Sequence, residues 1–66
     1  MLTQPWELSS NEYGLYQEVR ERMGEVAATS LACVLLDGAT RFMGISPGEV
    51  AYMRQLAEVR KVKLPI

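Results

Sequence analysis

The chain has 66 residues, of which 48% are hydrophobic and 23% are charged, and its formal net charge is -1. These values are typical of one small globular domain, expected here over residues 1–66, and they exclude a disordered chain. Histidine is absent and Cys33 is the single cysteine, which excludes an intramolecular disulfide, a zinc finger and any mechanism that needs an imidazole base.

The start of the chain does not have the pattern of a targeting signal. Residues 1–8 lack the basic start and the apolar stretch of a secretory signal, and they include Glu7. The longest nearly apolar stretch, 26–36, has eleven residues, whereas a membrane-spanning helix needs about 20. We therefore expect no membrane partner, and the lone cysteine favours a reducing compartment, the cytoplasm.

Two serines carry the sequence pattern of a helix N-terminus. Ser9 and Ser46 are each followed three positions later by a glutamate, Glu12 and Glu49, which is the spacing of a capping box. Pro47 also suits the first position of a helix. A helix is therefore predicted to begin directly after each of the two serines.

Apolar residues recur with the period of a helix from residue 10 to about residue 37. Gly24 interrupts this pattern, and a glycine inside a helix costs about 1 kcal/mol relative to alanine. The pattern is therefore compatible with one long helix or with two helices joined near Gly24. Gly38 is expected to end the run, because glycine suits the left-handed position that follows a helix.

The remainder of the chain predicts a short turn over 39–43, of one helical turn, and a final helix over about 47–61. Pro65 prevents that helix from continuing to the C-terminus. No alternating run of β-branched residues predicts a strand. The expected fold class is all-α, a small helical domain of three or four helices.

The stretch 26–36 is apolar on every side of the predicted helix, and such a helix must be covered on every side. The chain's own terminal segments could cover it, or a second copy could do so in a symmetric homodimer. We expect the homodimer, because large exposed apolar patches mark interfaces and very small domains often gain stability by association. The residues predicted to form the dimer interface are Val26, Leu31, Val34, Leu35 and Leu36.

The sequence predicts no catalytic, cofactor or metal site. Glu18, Glu21 and Glu25 share one helix face, but no histidine or second aspartate completes a metal site, and we interpret the face as solvated. Cys33 has no basic residue within one turn to stabilise a thiolate, so it is interpreted as a buried apolar residue. We therefore expect a non-enzymatic protein without a small-molecule substrate.

Charge is divided unevenly between the two parts of the chain. Residues 1–37 contain six carboxylates and two arginines, whereas residues 38–66 contain five cations and two carboxylates. An acidic half that dimerises and a basic half that meets an acidic partner would fit this division.

The stretch 39–53 resembles a helix-turn-helix motif. A glycine in the turn, a hydrophobic residue after it, a capped second helix and inward-facing apolar residues follow in the order and spacing of that family. The matching residues are Gly44, Ile45, Ser46, Val50 and Met53. The resemblance implies that the second helix enters the major groove of duplex DNA.

The leading hypothesis is a small homodimeric helical protein that binds another protein, as an adaptor, inhibitor or accessory factor. The alternative is a helix-turn-helix transcriptional regulator. Trp6 is a candidate interface anchor, since tryptophan is enriched at binding hot spots. The residues predicted to contact a protein partner or DNA are Trp6, Arg41, Ser46, Tyr52, Arg54, Gln55, Arg60 and Lys61.

Overall fold

The computed structural model describes residues 8–66, and this part of the chain contains three helices and no strand. Helix α1 spans Ser10–Met23, α2 spans Glu25–Leu36 and α3 spans Pro47–Val59. The all-α fold class is therefore confirmed, with three helices. Trp6 lies outside the described residues.

Capping boxes begin α1 and α3, as the two serines predict. The Ser9 hydroxyl accepts a hydrogen bond from the Glu12 amide at 3.3 Å, and the Glu12 carboxylate accepts one from the Ser9 amide at 3.2 Å. Ser46 and Glu49 form the same pair of bonds at 3.3 and 3.0 Å. Each box satisfies backbone N–H groups that have no partner inside the helix.

Gly24 separates α1 from α2, which decides between the one-helix and the two-helix alternatives. Its φ is 100° and its ψ is 174°, a region of the backbone map that is almost restricted to glycine. Its N–H donates to the Arg20 carbonyl at 3.1 Å, and its carbonyl accepts from the Ala28 amide at 3.2 Å. One residue therefore ends the first helix and begins the second.

The prediction of a short helical turn over 39–43 is wrong, since this stretch is irregular and belongs to a loop over 37–46. Gly38 and Gly44 flank it with φ of 72° and 78°, both left-handed and therefore incompatible with a continuing helix. The Met43 amide donates to the Ser30 hydroxyl at 2.8 Å instead of to a helical carbonyl. The final helix also ends at Val59 rather than near residue 61.

The core lies where the three helices meet, and α1 packs against both α2 and α3. Each helix contributes apolar residues from one face, and the C-terminal segment adds a valine. The buried cluster consists of Leu15, Val19, Ala27, Ala28, Leu31, Met53, Ala57 and Val62. Phe42 and Ile45 of the loop pack against this cluster from outside.

Two of the five residues predicted for the dimer interface are buried within the chain. Leu31 is 0% exposed and Val34 is 2% exposed, so neither offers a surface to a second copy. Leu35 and Leu36 are half-buried, and Val26 remains 63% exposed. The chain itself therefore covers more of α2 than the apolar pattern suggests, and the dimer interface stays a prediction.

Candidate functional site

A groove of about 430 Å³ runs between α2 and the loop 37–46. One wall is a face of α2 and the other is formed by the loop. We call it the α2 groove, and its lining residues are Glu25, Val26, Thr29, Ser30, Cys33, Arg41 and Met43.

The helical wall follows from the spacing of its residues. Val26, Ser30 and Cys33 are four and three positions apart, so they share one side of α2. Ser30 is buried, Cys33 is half-buried and Val26 is exposed. These are short side chains, and they leave a concave surface beside the helix that a larger apolar side chain could fill.

Two contacts fix the loop wall against the helix. The Ser30 hydroxyl accepts the 2.8 Å hydrogen bond from the Met43 amide, which fixes the backbone beside the groove. Gly44 allows a close approach, because a Cβ atom there would lie 3.2 Å from Cγ1 of Val26. Met43 is therefore held next to α2, yet 57% of its surface remains exposed.

A second concave surface adjoins the first. This arginine cleft has a volume of about 370 Å³ and is mainly apolar. Its lining residues are Arg41, Phe42, Ile45, Pro47, Val50, Arg54 and Ile66. Arg41 lines both the cleft and the α2 groove, so the two surfaces are continuous at this residue.

Arg54 is held over an aromatic ring of the arginine cleft. Its guanidinium carbon lies 5.9 Å from the centroid of Phe42, which is within the range of a cation–π interaction. Neither Arg54 nor Arg41 forms an ion pair with another described residue. Both cations are exposed beside apolar surface.

A polar network on another side of the molecule joins α1 to the end of α3. Glu18 accepts hydrogen bonds from Nε of Arg22 and Nε of Arg60, each at 2.9 Å. Arg22 also donates to the Tyr52 hydroxyl at 3.4 Å. The hydrogen bond from Arg60 holds the pKa of Glu18 below its ordinary value, and the bond from Arg22 acts in the same direction.

The predicted contact residues therefore lie in several places. Arg41 and Arg54 line the concave surfaces, whereas Tyr52 and Arg60 belong to the Glu18 network. Ser46 caps α3. Gln55 and Lys61 are exposed but line neither the groove nor the cleft.

Sequence reasoning missed Met43 and Ser30 as members of the site. One signal was present, because Ser30 is a hydroxyl inside an otherwise apolar stretch, and a buried hydroxyl needs a hydrogen-bond partner. That partner is a backbone amide thirteen positions later. The helical spacing of the apolar residues does not identify this hydrogen-bond partner.

Among residues 8–66, no three potential metal ligands come together, and no helix has both the length and the apolar character required to cross a bilayer. No protein-family model, curated protein or solved structure matches the chain.

Proposed function

We propose that this protein is a non-enzymatic binding module that recognises another protein through the α2 groove, as an adaptor, inhibitor or accessory factor. The observation that carries the proposal is the exposure of two large apolar residues in one concave surface. Val26 is 63% exposed and Met43 is 57% exposed, and both line the groove. Contiguous exposed apolar surface is typical of binding sites.

The construction of the groove supports recognition of an apolar side chain. The Met43–Ser30 hydrogen bond and the close approach of Gly44 to Val26 form the concave shape before any partner is present. A preformed surface loses less conformational entropy on binding than one that must be ordered. Methionine also adapts its shape to different partners, because its thioether chain has several low-energy conformations.

A capture experiment with matched variants tests the proposal. The tagged full chain is incubated with a lysate of the source cells, with and without nuclease, and bound proteins are quantified by mass spectrometry. Val26→Glu and Met43→Glu should lose the partner, because each places a carboxylate in the apolar groove. Val59→Glu is the control, since Val59 is 81% exposed on α3 and lies outside the groove.

The proposal fails if Val26→Glu and Met43→Glu capture the same proteins as Val59→Glu. It also fails if nuclease removes all captured protein, because binding would then pass through nucleic acid. The helix-turn-helix alternative predicts that second result. That alternative has lost one support, since the irregular backbone over 39–43 provides no first helix of the motif.

The homodimer predicted from the sequence is a separate proposal with a smaller surface than expected. Val26 is exposed and Leu35 and Leu36 are half-buried, so a second copy would contact these residues. Light scattering should report twice the 7.4 kDa mass of one chain, and Leu36→Glu, at a position outside the α2 groove, should return it to a single chain. A single-chain mass for the wild type at every concentration would refute the homodimer and leave the groove proposal intact.

A further inference from the structure

We propose that the partner presents an acidic, amphipathic segment to this surface. An apolar side chain of the segment enters the α2 groove, and its carboxylates pair with Arg41 and Arg54. This inference rests on the proposed function and adds the chemistry of the partner to it.

The first argument is the pairing of the arginines. Three of the five form ion pairs within the chain, since Arg20 pairs with Glu25 at 3.4 Å and both Arg22 and Arg60 pair with Glu18 at 2.9 Å. The remaining two, Arg41 and Arg54, have no such partner among the described residues, and both line the arginine cleft. The two guanidinium groups without an ion-pair partner among the described residues therefore lie on one surface.

The second argument is the scarcity of carboxylate side chains among the lining residues. The residues that line the arginine cleft include no aspartate or glutamate. The only carboxylate of the adjoining α2 groove is Glu25, whose partner is Arg20. The combined surface therefore presents two arginines and one paired glutamate side chain beside apolar side chains, and a complementary ligand carries carboxylates beside an apolar side chain.

The same observations disfavour a second copy and duplex DNA as the occupant of the arginine cleft. In a symmetric dimer each copy would present the same positive surface to the other, which places like charges together. Duplex DNA owes its affinity mainly to many phosphate contacts, whereas this surface offers two free guanidinium groups. The apolar residues between them, such as Phe42 and Val50, would bury little area against phosphates.

Selection from random peptides tests the chemistry directly. A phage-displayed library of random peptides, about the length of a short helix, is selected on the purified full chain. We expect the enriched sequences to be net acidic with at least one large apolar residue. Fluorescence polarisation with the synthesised peptides should show affinity lowered about 1.5- to fivefold by Arg41→Gln and by Arg54→Gln, the range for one exposed ion pair.

Matched variants and a second probe complete the experiment. Lys63→Gln removes the same charge from an exposed position outside both concave surfaces, so it should leave peptide affinity unchanged. Replacing the acidic residues of the peptide with lysines should abolish binding, and raising the salt concentration should weaken binding of the acidic peptide. A fluorescent DNA duplex is titrated in parallel.

The outcomes separate this inference from the proposed function. Enriched peptides that are neutral or basic, insensitive to Arg41→Gln but lost with Met43→Glu, overturn the acidic partner and preserve the groove. Peptide binding that Met43→Glu leaves unchanged, or no enrichment of any peptide, overturns both the acidic partner and the groove proposal. If the DNA duplex binds more tightly than the acidic peptide, DNA replaces the acidic segment as the occupant. If the chain has a concentration-dependent mass that Arg41→Gln abolishes, a second copy replaces it.

Discussion

Lys61 occupies a backbone conformation that favours glycine, with φ at 57°. It follows the end of α3, where the Val62 amide donates to the Ala57 carbonyl at 2.9 Å and the Lys61 amide donates to the Glu58 carbonyl at 3.0 Å. These two bonds are those of a Schellman motif, which usually places glycine at this position. A lysine in the left-handed region therefore introduces a local strain that a single substitution can remove.

Lys61→Gly is expected to raise the free energy of unfolding by about 0.5–1 kcal/mol, because relief of the left-handed strain exceeds the entropy that glycine adds to the unfolded chain. Urea denaturation followed by circular dichroism measures the change. Lys63→Gly is the control, since Lys63 has no positive φ, and it should stabilise nothing. Equal effects of the two substitutions would contradict the strain argument.

Gly24 and Gly48 form a second test at the scale of single residues. Gly24→Ala should destabilise the protein by about 1–3 kcal/mol, because its backbone conformation is open almost only to glycine. Gly48→Ala should stabilise it by up to about 1 kcal/mol, since alanine has the higher helix propensity. A Cβ atom at Gly24 meets nothing within 4 Å, so any loss there reports backbone conformation rather than collision. Thermal and urea denaturation of both variants should therefore give changes of opposite sign.

Contacts between elements depend on a few polar side chains, and the loop 37–46 is the clearest case. The Ser30 hydroxyl is the acceptor for the Met43 amide, and Ser30 is 6% exposed. Ser30→Ala should cost about 1–3 kcal/mol, because a part-buried amide loses its partner. Thr40→Ala, at an exposed position of the loop, should change stability by less than about 0.5 kcal/mol.

The same substitution connects stability to binding. Since Met43 forms part of the groove wall, Ser30→Ala should also weaken peptide binding, whereas Thr40→Ala, outside the groove and the cleft, should preserve most of it. Denaturation and fluorescence polarisation measure the two effects. Full peptide affinity in a destabilised Ser30→Ala would show that the hydrogen bond does not shape the groove.

The Glu18 network predicts how α1 and α3 respond to acid. The pKa of Glu18 is lower in the folded protein than its ordinary value of 4.5, so the stabilisation is complete above that value. It is lost as the pH falls through the lowered pKa, where the folded carboxylate is finally protonated. Stability should therefore fall less steeply below about pH 5 in Glu18→Gln than in the wild type.

Glu21→Gln provides the matched control for this pH dependence. Glu21 is an exposed carboxylate on the same helix and has no ion pair with another described residue. The free energy of unfolding is measured for all three proteins across the acid range. A wild-type slope in Glu18→Gln, or a flattened slope in Glu21→Gln, would contradict the role assigned to the network.

At the scale of the whole molecule, the sequence predicted those features that depend on neighbouring residues. The capping boxes join residues three positions apart, and the spacing is visible in the chain. Gly24 left two alternatives open, because a glycine can continue a helix or break it and only its φ of 100° decides. The short turn over 39–43 was predicted wrongly because Met43 bonds to a residue thirteen positions earlier.

The burial of α2 shows the same limit on a larger scale. The apolar pattern of 26–36 correctly indicates a helix with little polar surface, but the pattern does not count the loop among the elements that pack on the core. Phe42 and Ile45 pack there, in addition to α1, which packs directly against α2. Leu31 is buried within one chain. The exposed apolar surface at Val26 and Met43 is therefore narrower than the interface predicted from the sequence.

The position of Cys33 has a practical consequence. The chain has one thiol, and it lies among the residues that line the α2 groove. A small alkylating reagent can therefore probe the groove, since a bound partner should slow its reaction with this thiol. Occupancy could then be followed in the native sequence, with no cysteine to remove elsewhere.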